Sequence, residues 1–115
     1  MVTFIMTELM NVTIQTFKTE NDMELSISRW NGVRDKFMPL FKEAGLVRYS
    51  TSKVWNRDGQ FQLVHVFEYR DWEAADACLP IWRQIEAKWK EKIDNVTVGY
   101  RGVLIEQHDF GAPSD

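Results

Sequence analysis

The stretch GLVRYSTSKVWNRDGQFQLVHVFEY, residues 45–69, decides how this chain is read. Asn56-Arg57-Asp58-Gly59 is a turn signal, because Asn and Asp tolerate turn backbones and Gly adopts positive φ without a steric penalty. The flanking runs are rich in β-branched and aromatic residues, which predicts strands over about 46–55 and 61–69. In the second strand Phe61, Leu63, His65, Phe67 and Tyr69 share one face, and Gln62, Val64, Val66 and Glu68 share the other. Neither face is wholly polar, so the sheet is expected to be covered on both sides. The chain's own helices supply one cover. The other must be a partner, which predicts a homodimer.

Outward from this hairpin, Asn11 to Thr19 alternates as a first strand, with Val12 and Ile14 on one face and Phe17 on the other. Asn21 or Asp22 offers an N-cap, and with Asn21 as the cap Glu24 takes the capping-box position. Met23, Ile27, Trp30, Val33, Phe37, Phe41 and Ala44 then recur at steps of three and four, forming one apolar helical stripe. Pro39 lies inside it and would crowd the carbonyl of Asp35, which predicts a kink or restart. Gly45 suits the left-handed residue that ends a helix. Beyond the hairpin, Asp71 caps a second helix with the stripe Ala75, Cys78, Leu79, Trp82, Ile85, Trp89 and Ile93, interrupted near Leu79 by Pro80. A last strand is expected from Val96 to about Gln107, where Gly99 and Gly102 mark a bulge or close backbone approach. Strand, helix, strand, strand, helix, strand is the split βαβ order. It predicts an α+β, ferredoxin-like βαββαβ fold with an antiparallel sheet.

At 115 residues the chain is one domain. That domain is expected over 10–108, after an N-terminal extension at 1–9 and before a flexible tail at 109–115. Met6 and Met10 stand as alternative starts. The net charge of −3 gives no general electrostatic reason to bind nucleic acid or an anionic membrane. No Lys or Arg precedes Lys18, so the apolar N-terminal run lacks the charged region of a secretory signal, and it is too short to span a bilayer. The single Cys78 excludes an intramolecular disulfide, and a small buried role on a helix suits it better than a nucleophile without a neighbouring base. A cytoplasmic location is expected. Five Trp and seven Phe are many for this length, and such aromatics fill a core, line an apolar pocket or form an interface.

The motifs PLFKEAG at 39–45, VWNRDG at 54–59 and VHVFEYRDW at 64–72 carry a family resemblance. On them the chain resembles the dimeric α+β-barrel superfamily, nearest to NIPSNAP-type and antibiotic-biosynthesis-monooxygenase-like proteins. The resemblance implies a homodimer whose sheets face each other as a barrel, with a small apolar or aromatic ligand held between each sheet and its helices. It also implies cofactor-independent oxygenation or proton transfer as candidate chemistry, and no cofactor is expected. Haem-degrading members carry a His on the second helix; this chain has none between Asp71 and Ile93.

His65 is the leading candidate, either as a general base on a phenolic or enolic substrate or as a neutral core histidine with satisfied nitrogens. Tyr49 and Tyr100, on other strands, are candidate hydrogen-bond partners whose hydroxyls would share its cavity. Arg48 and Arg101 would bind a carboxylate or enolate, or else serve as edge charges. Trp30, Phe67 and Trp82 are candidate ligand contacts and equally candidate core residues; Asn31 and Arg34 lie off the stripe. A non-catalytic binding or interaction protein is the competing class, and a haem binder using His65 or His108 is a third. No metal site is expected, since two distant His with no Cys pair give no ligand cluster.

Overall fold

The computed structural model describes residues 7–111. Residues 1–6 of the expected extension and 112–115 of the expected tail lie outside them. The chain order is β1 (Leu9–Phe17), α1 (Glu20–Ala44), β2 (Leu46–Lys53), β3 (Phe61–Tyr69), α2 (Trp72–Glu86) and β4 (Asn95–Val103). The four strands form one sheet in the order β2-β3-β1-β4, with every neighbouring pair antiparallel. This is the ferredoxin-like βαββαβ arrangement, the half-unit of a dimeric α+β barrel.

Local chemistry sets the helix ends. Thr19 caps α1, its Oγ1 accepting from the Asp22 amide at 3.0 Å in extended backbone. The helix therefore starts one to two residues before the expected caps, leaving Glu20 and Asp22 in the first turn, where carboxylates complement the helix dipole. Gly45 ends it at φ 105°, with its amide reaching the Phe41 carbonyl at 3.1 Å. Asp71 caps α2 as expected, accepting from the Ala74 amide at 2.8 Å; that bond, with Arg70 beside it, holds the carboxyl below its ordinary range.

Neither proline restarts its helix: α1 and α2 each run unbroken through it. Pro39 and Pro80 both lie on exposed faces, as do Asp35 and Asp76 one turn earlier, so the carbonyls that lose a partner face solvent. Element ends also differ: β1 stops at Phe17 and β2 at Lys53, each two residues short of the expected end. β1 begins at Leu9, and Thr7 to Leu9 belong to the domain rather than to an extension: Thr7 and Leu9 are buried, and the Glu8 amide bonds the Tyr69 carbonyl at 3.0 Å. α2 stops at Glu86, so Lys88 to Asp94 form an irregular strap in which Trp89 and Ile93 still pack inward. β4 ends at Val103, opposite Leu9, where its antiparallel partner β1 begins.

Both helices lie on one face of the sheet. The main core joins Leu9 and Tyr69 of the sheet to Phe37 and Phe41 of α1 and Ala74, Cys78 and Ile85 of α2. Cys78 is fully buried, and burial pushes its thiol up to about 11, which leaves it inert as a nucleophile at neutral pH. The opposite face carries Met10, Val12 and Ile14 of β1, Val64 and Val66 of β3, and Val96, Val98 and Tyr100 of β4. No helix covers it, and Val96, Val98 and Tyr100 stand in solvent.

Candidate functional site

Strand register decides which side chains meet. Opposed residues of an antiparallel pair share a face, so the helix side of the sheet is built in rows. One row is Tyr49–Phe67–Asn11–Arg101, and the next is Thr51–His65–Thr13–Gly99. Above these rows, between sheet and helices, lies a cavity of about 680 Å³, within the ordinary range for a small-molecule site.

Aromatic rings crowd one end of it. Trp82 of α2 packs 5.1 Å from Phe67, 5.9 Å from Tyr49 and 6.0 Å from Trp30 of α1, centroid to centroid. Trp30 meets Tyr49 edge-on at 5.8 Å. These separations are typical of stabilising aromatic pairs. The strap closes another side: Arg29 donates to the Glu91 carbonyl at 2.9 Å and lies 5.7 Å above the Trp89 ring.

A hydrogen-bonded chain runs through the aromatic end. Thr51 Oγ1 donates to the Tyr49 hydroxyl at 2.6 Å, and that hydroxyl lies 3.1 Å from His65 Nδ1. On the other side, His65 Nε2 is 2.6 Å from Gln15 Oε1. A carbonyl oxygen only accepts, so Nε2 carries a proton, and in the neutral ring Nδ1 is then the acceptor facing the hydroxyls. Burial lowers the His65 pKa and so favours that form. Burial also raises the Tyr49 pKa, against smaller opposing effects from Thr51 and Arg34, so the phenol keeps its proton. Thr51 Oγ1 also lies 3.0 Å from Nδ1, so Thr51, Tyr49 and His65 form a closed cluster that Gln15 extends; with Thr51 donating to Tyr49, the proton path runs Thr51 to Tyr49 to His65 to Gln15.

Six of the eight expected site residues line the cavity in a way that lets them touch a ligand: Trp30, Tyr49, His65, Phe67, Trp82 and Arg101. Arg101 shares the helix-side face of the sheet with Asn11 and Phe67. Two do not. Tyr100 borders the cavity, but it pairs with Val12 on the opposite face and is 61% exposed, so its side chain turns away from His65. Arg48 pairs with Glu68 on that same face, at 3.3 Å, where it neutralises a buried carboxylate. Asn31 and Arg34 are exposed and bonded to each other at 3.1 Å. Sequence reasoning missed Gln15 and Thr51, which gain significance only from their register beside His65.

A haem ligand does not fit these residues. Both nitrogens of His65 are engaged by protein groups, and His108 lies away from the cavity with its Nε2 on Glu106 at 2.7 Å. Among the described residues, no group of three or more His, Cys, Asp or Glu is placed to hold a metal ion, and no helix is long and apolar enough to cross a membrane.

Solved structures share this architecture. A dimeric ferredoxin-like protein from an uncultured marine organism is 28% identical, covering 90% of this chain and 99% of its own at a TM-score of 0.78. A second such protein is 20% identical, covering 90% and 100% at 0.73. The ActVA-Orf6 monooxygenase of Streptomyces coelicolor, solved with nanaomycin D, is 9% identical, covering 94% of each chain at 0.61, a likeness of fold alone. The relationship to dimeric ferredoxin-like and monooxygenase-like proteins expected from the sequence is thus seen at the level of fold, and neighbours described as dimeric support a homodimer. The NIPSNAP part of that resemblance rests on sequence motifs alone. No curated protein matches the chain. Residues 6–104, nearly the whole described domain, match one family, and the chain belongs to it: the family described as Domain of unknown function (DUF6974).

Proposed function

We propose that this protein binds a small aromatic molecule in the sheet–helix cavity and moves a proton from a phenolic or enolic hydroxyl of that molecule. The observation that carries this reading is the Thr51–Tyr49–His65–Gln15 chain set into the wall of the aromatic box. A substrate hydroxyl bonded to Tyr49 gives its proton to the phenol oxygen as Tyr49 passes its own to His65 Nδ1. The imidazolium then holds protons on both nitrogens, and Gln15 Oε1 steadies the Nε2 proton. A neutral imidazole in an apolar wall is the form of the residue able to accept that proton. The resulting electron-rich anion is the species that reacts directly with molecular oxygen, which makes cofactor-independent monooxygenation the oxidative extension of the same step. The fold-level likeness to a monooxygenase solved with nanaomycin D supports the assignment without naming a substrate.

A second reading is binding without turnover. It is favoured by the fact that both His65 nitrogens already have protein partners. Titration with 4-nitro-1-naphthol separates the two, because its anion absorbs visible light. Proton transfer predicts a bound anion signal below the free probe's pKa, lost in His65→Gln while calorimetry still records binding. Binding with no colour change in the wild-type protein leaves only the second reading. No binding at all contradicts both.

A further inference from the structure

The row that contains His65 does not end at it. Crossing from β3 through β1 to β4, it runs His65, Thr13, Gly99, from an imidazole to a small side chain to none. A Cβ placed on Gly99 would meet nothing within 4 Å, so a side chain there would project into open cavity. The row is thus a trough in the floor, and Arg101 and Thr97, the next helix-side residues of β4, flank its outer end. Two strand spacings separate the His65 and Gly99 positions, a span of about 10 Å.

The two ends differ in charge. At the inner end are aromatic rings and the neutral Tyr49–His65 pair. At the outer end Arg101 makes no ion pair within 4.0 Å among the described residues, and the amide of Asn11 stands beside it in register. The other charges that line the cavity belong to the helices and the strap rather than to the sheet floor, and there the carboxylates Asp76, Glu86 and Glu91 outnumber the cations Arg29 and Lys92, with Arg29 already bonded to the Glu91 carbonyl. An anionic group is therefore repelled from under the helix and attracted along the trough toward Arg101.

We infer that the cavity is a two-ended site selecting an aromatic carboxylic acid: its ring lies among Trp30, Tyr49 and Trp82, its chain lies over Gly99, and its carboxylate is held by Arg101. The inference rests on the cavity being a ligand site, as proposed above, and adds the class of ligand. Arg101 is the specificity-determining residue, because a guanidinium binds a carboxylate through paired N–H donors and offers nothing comparable to an alcohol. Gly99 is the residue that leaves room for the connecting chain.

Calorimetric titration with 4-(2-naphthyl)butanoate, 4-(2-naphthyl)butan-1-ol and 2-naphthol tests this. The acid is expected to bind at least about tenfold more tightly than the alcohol, a gap of ~1.4 kcal/mol. Arg101→Gln, an exposed substitution that leaves the fold intact, should erase that gap while keeping the alcohol's affinity. Gly99→Val should weaken both chain-bearing probes and spare 2-naphthol. Equal binding of acid and alcohol, or a preference unchanged in Arg101→Gln, overturns the two-ended site while the aromatic cavity stands. Failure of all three probes overturns the cavity reading along with it.

Discussion

Desolvation acts on Tyr49 and His65 in opposite directions on the pKa scale and with one result: an un-ionised phenol facing an uncharged imidazole at neutral pH. The shift in His65 also ties stability to pH. Its folded-state pKa lies below the ordinary 6.5 of the unfolded chain, so the unfolded state binds the proton first. His65's share of stability is complete above pH 6.5 and is lost as the pH falls from there toward the folded-state value. The urea midpoint of the wild-type protein should therefore drop between about pH 8 and about pH 5 by more than that of His65→Gln. Equal drops in the two proteins would mean that burial does not hold the imidazole neutral.

At the scale of elements, the junction between α1 and β2 is the tightest point. Gly45 adopts φ 105°, and a Cβ there would lie 2.5 Å from the Cβ of Ala74 on α2. Left-handed backbone alone costs a non-glycine residue about 1–2 kcal/mol, and forcing the two helices apart adds to it. Gly45→Ala should lower stability by about 2–4 kcal/mol in denaturant melts; a loss below ~1 kcal/mol would contradict the close approach of Gly45 to α2. The elements themselves were largely legible, because each declares its own period. The stripe from Met23 to Ala44 and the alternation from Phe61 to Tyr69 identify α1 and β3, the latter with both ends correct. What each strand face meets was less legible. In β4, Tyr100 alternates with Arg101, and choosing the aromatic for the cavity assumes that apolar residues turn toward the chain's own helices. In a sheet with apolar residues on both sides they turn equally to the face no helix covers, and the register places Tyr100 there. Arg48 was misplaced for a related reason: it is adjacent to Tyr49, and successive strand residues face opposite sides, so with Tyr49 in the cavity Arg48 falls on the other face. Gln15 and Thr51 are ordinary strand residues until pairing sets them beside His65.

The whole molecule is organised by its sheet, which presents one face to its helices and leaves the other uncovered for the partner that its dimeric neighbours support. Met10, Val12, Ile14, Val64 and Val66 form an apolar face no helix covers, crossed by the Arg48–Glu68 pair. Val66 lies on the central strand pair of that face, between Val12 and Ser50. Val66→Asp places an unpaired carboxylate in the partner interface while leaving the cavity face untouched, so sedimentation should show a monomer. A variant that stays dimeric at the wild-type affinity would mean that the partner docks elsewhere. Both the dimer and the ligand cavity are read together by native mass spectrometry of the purified protein incubated with 4-nitro-1-naphthol. The account predicts a dimer that takes up two ligands, one per cavity, with occupancy reduced by filling the aromatic box. A monomer, or a dimer that takes up no ligand, contradicts it.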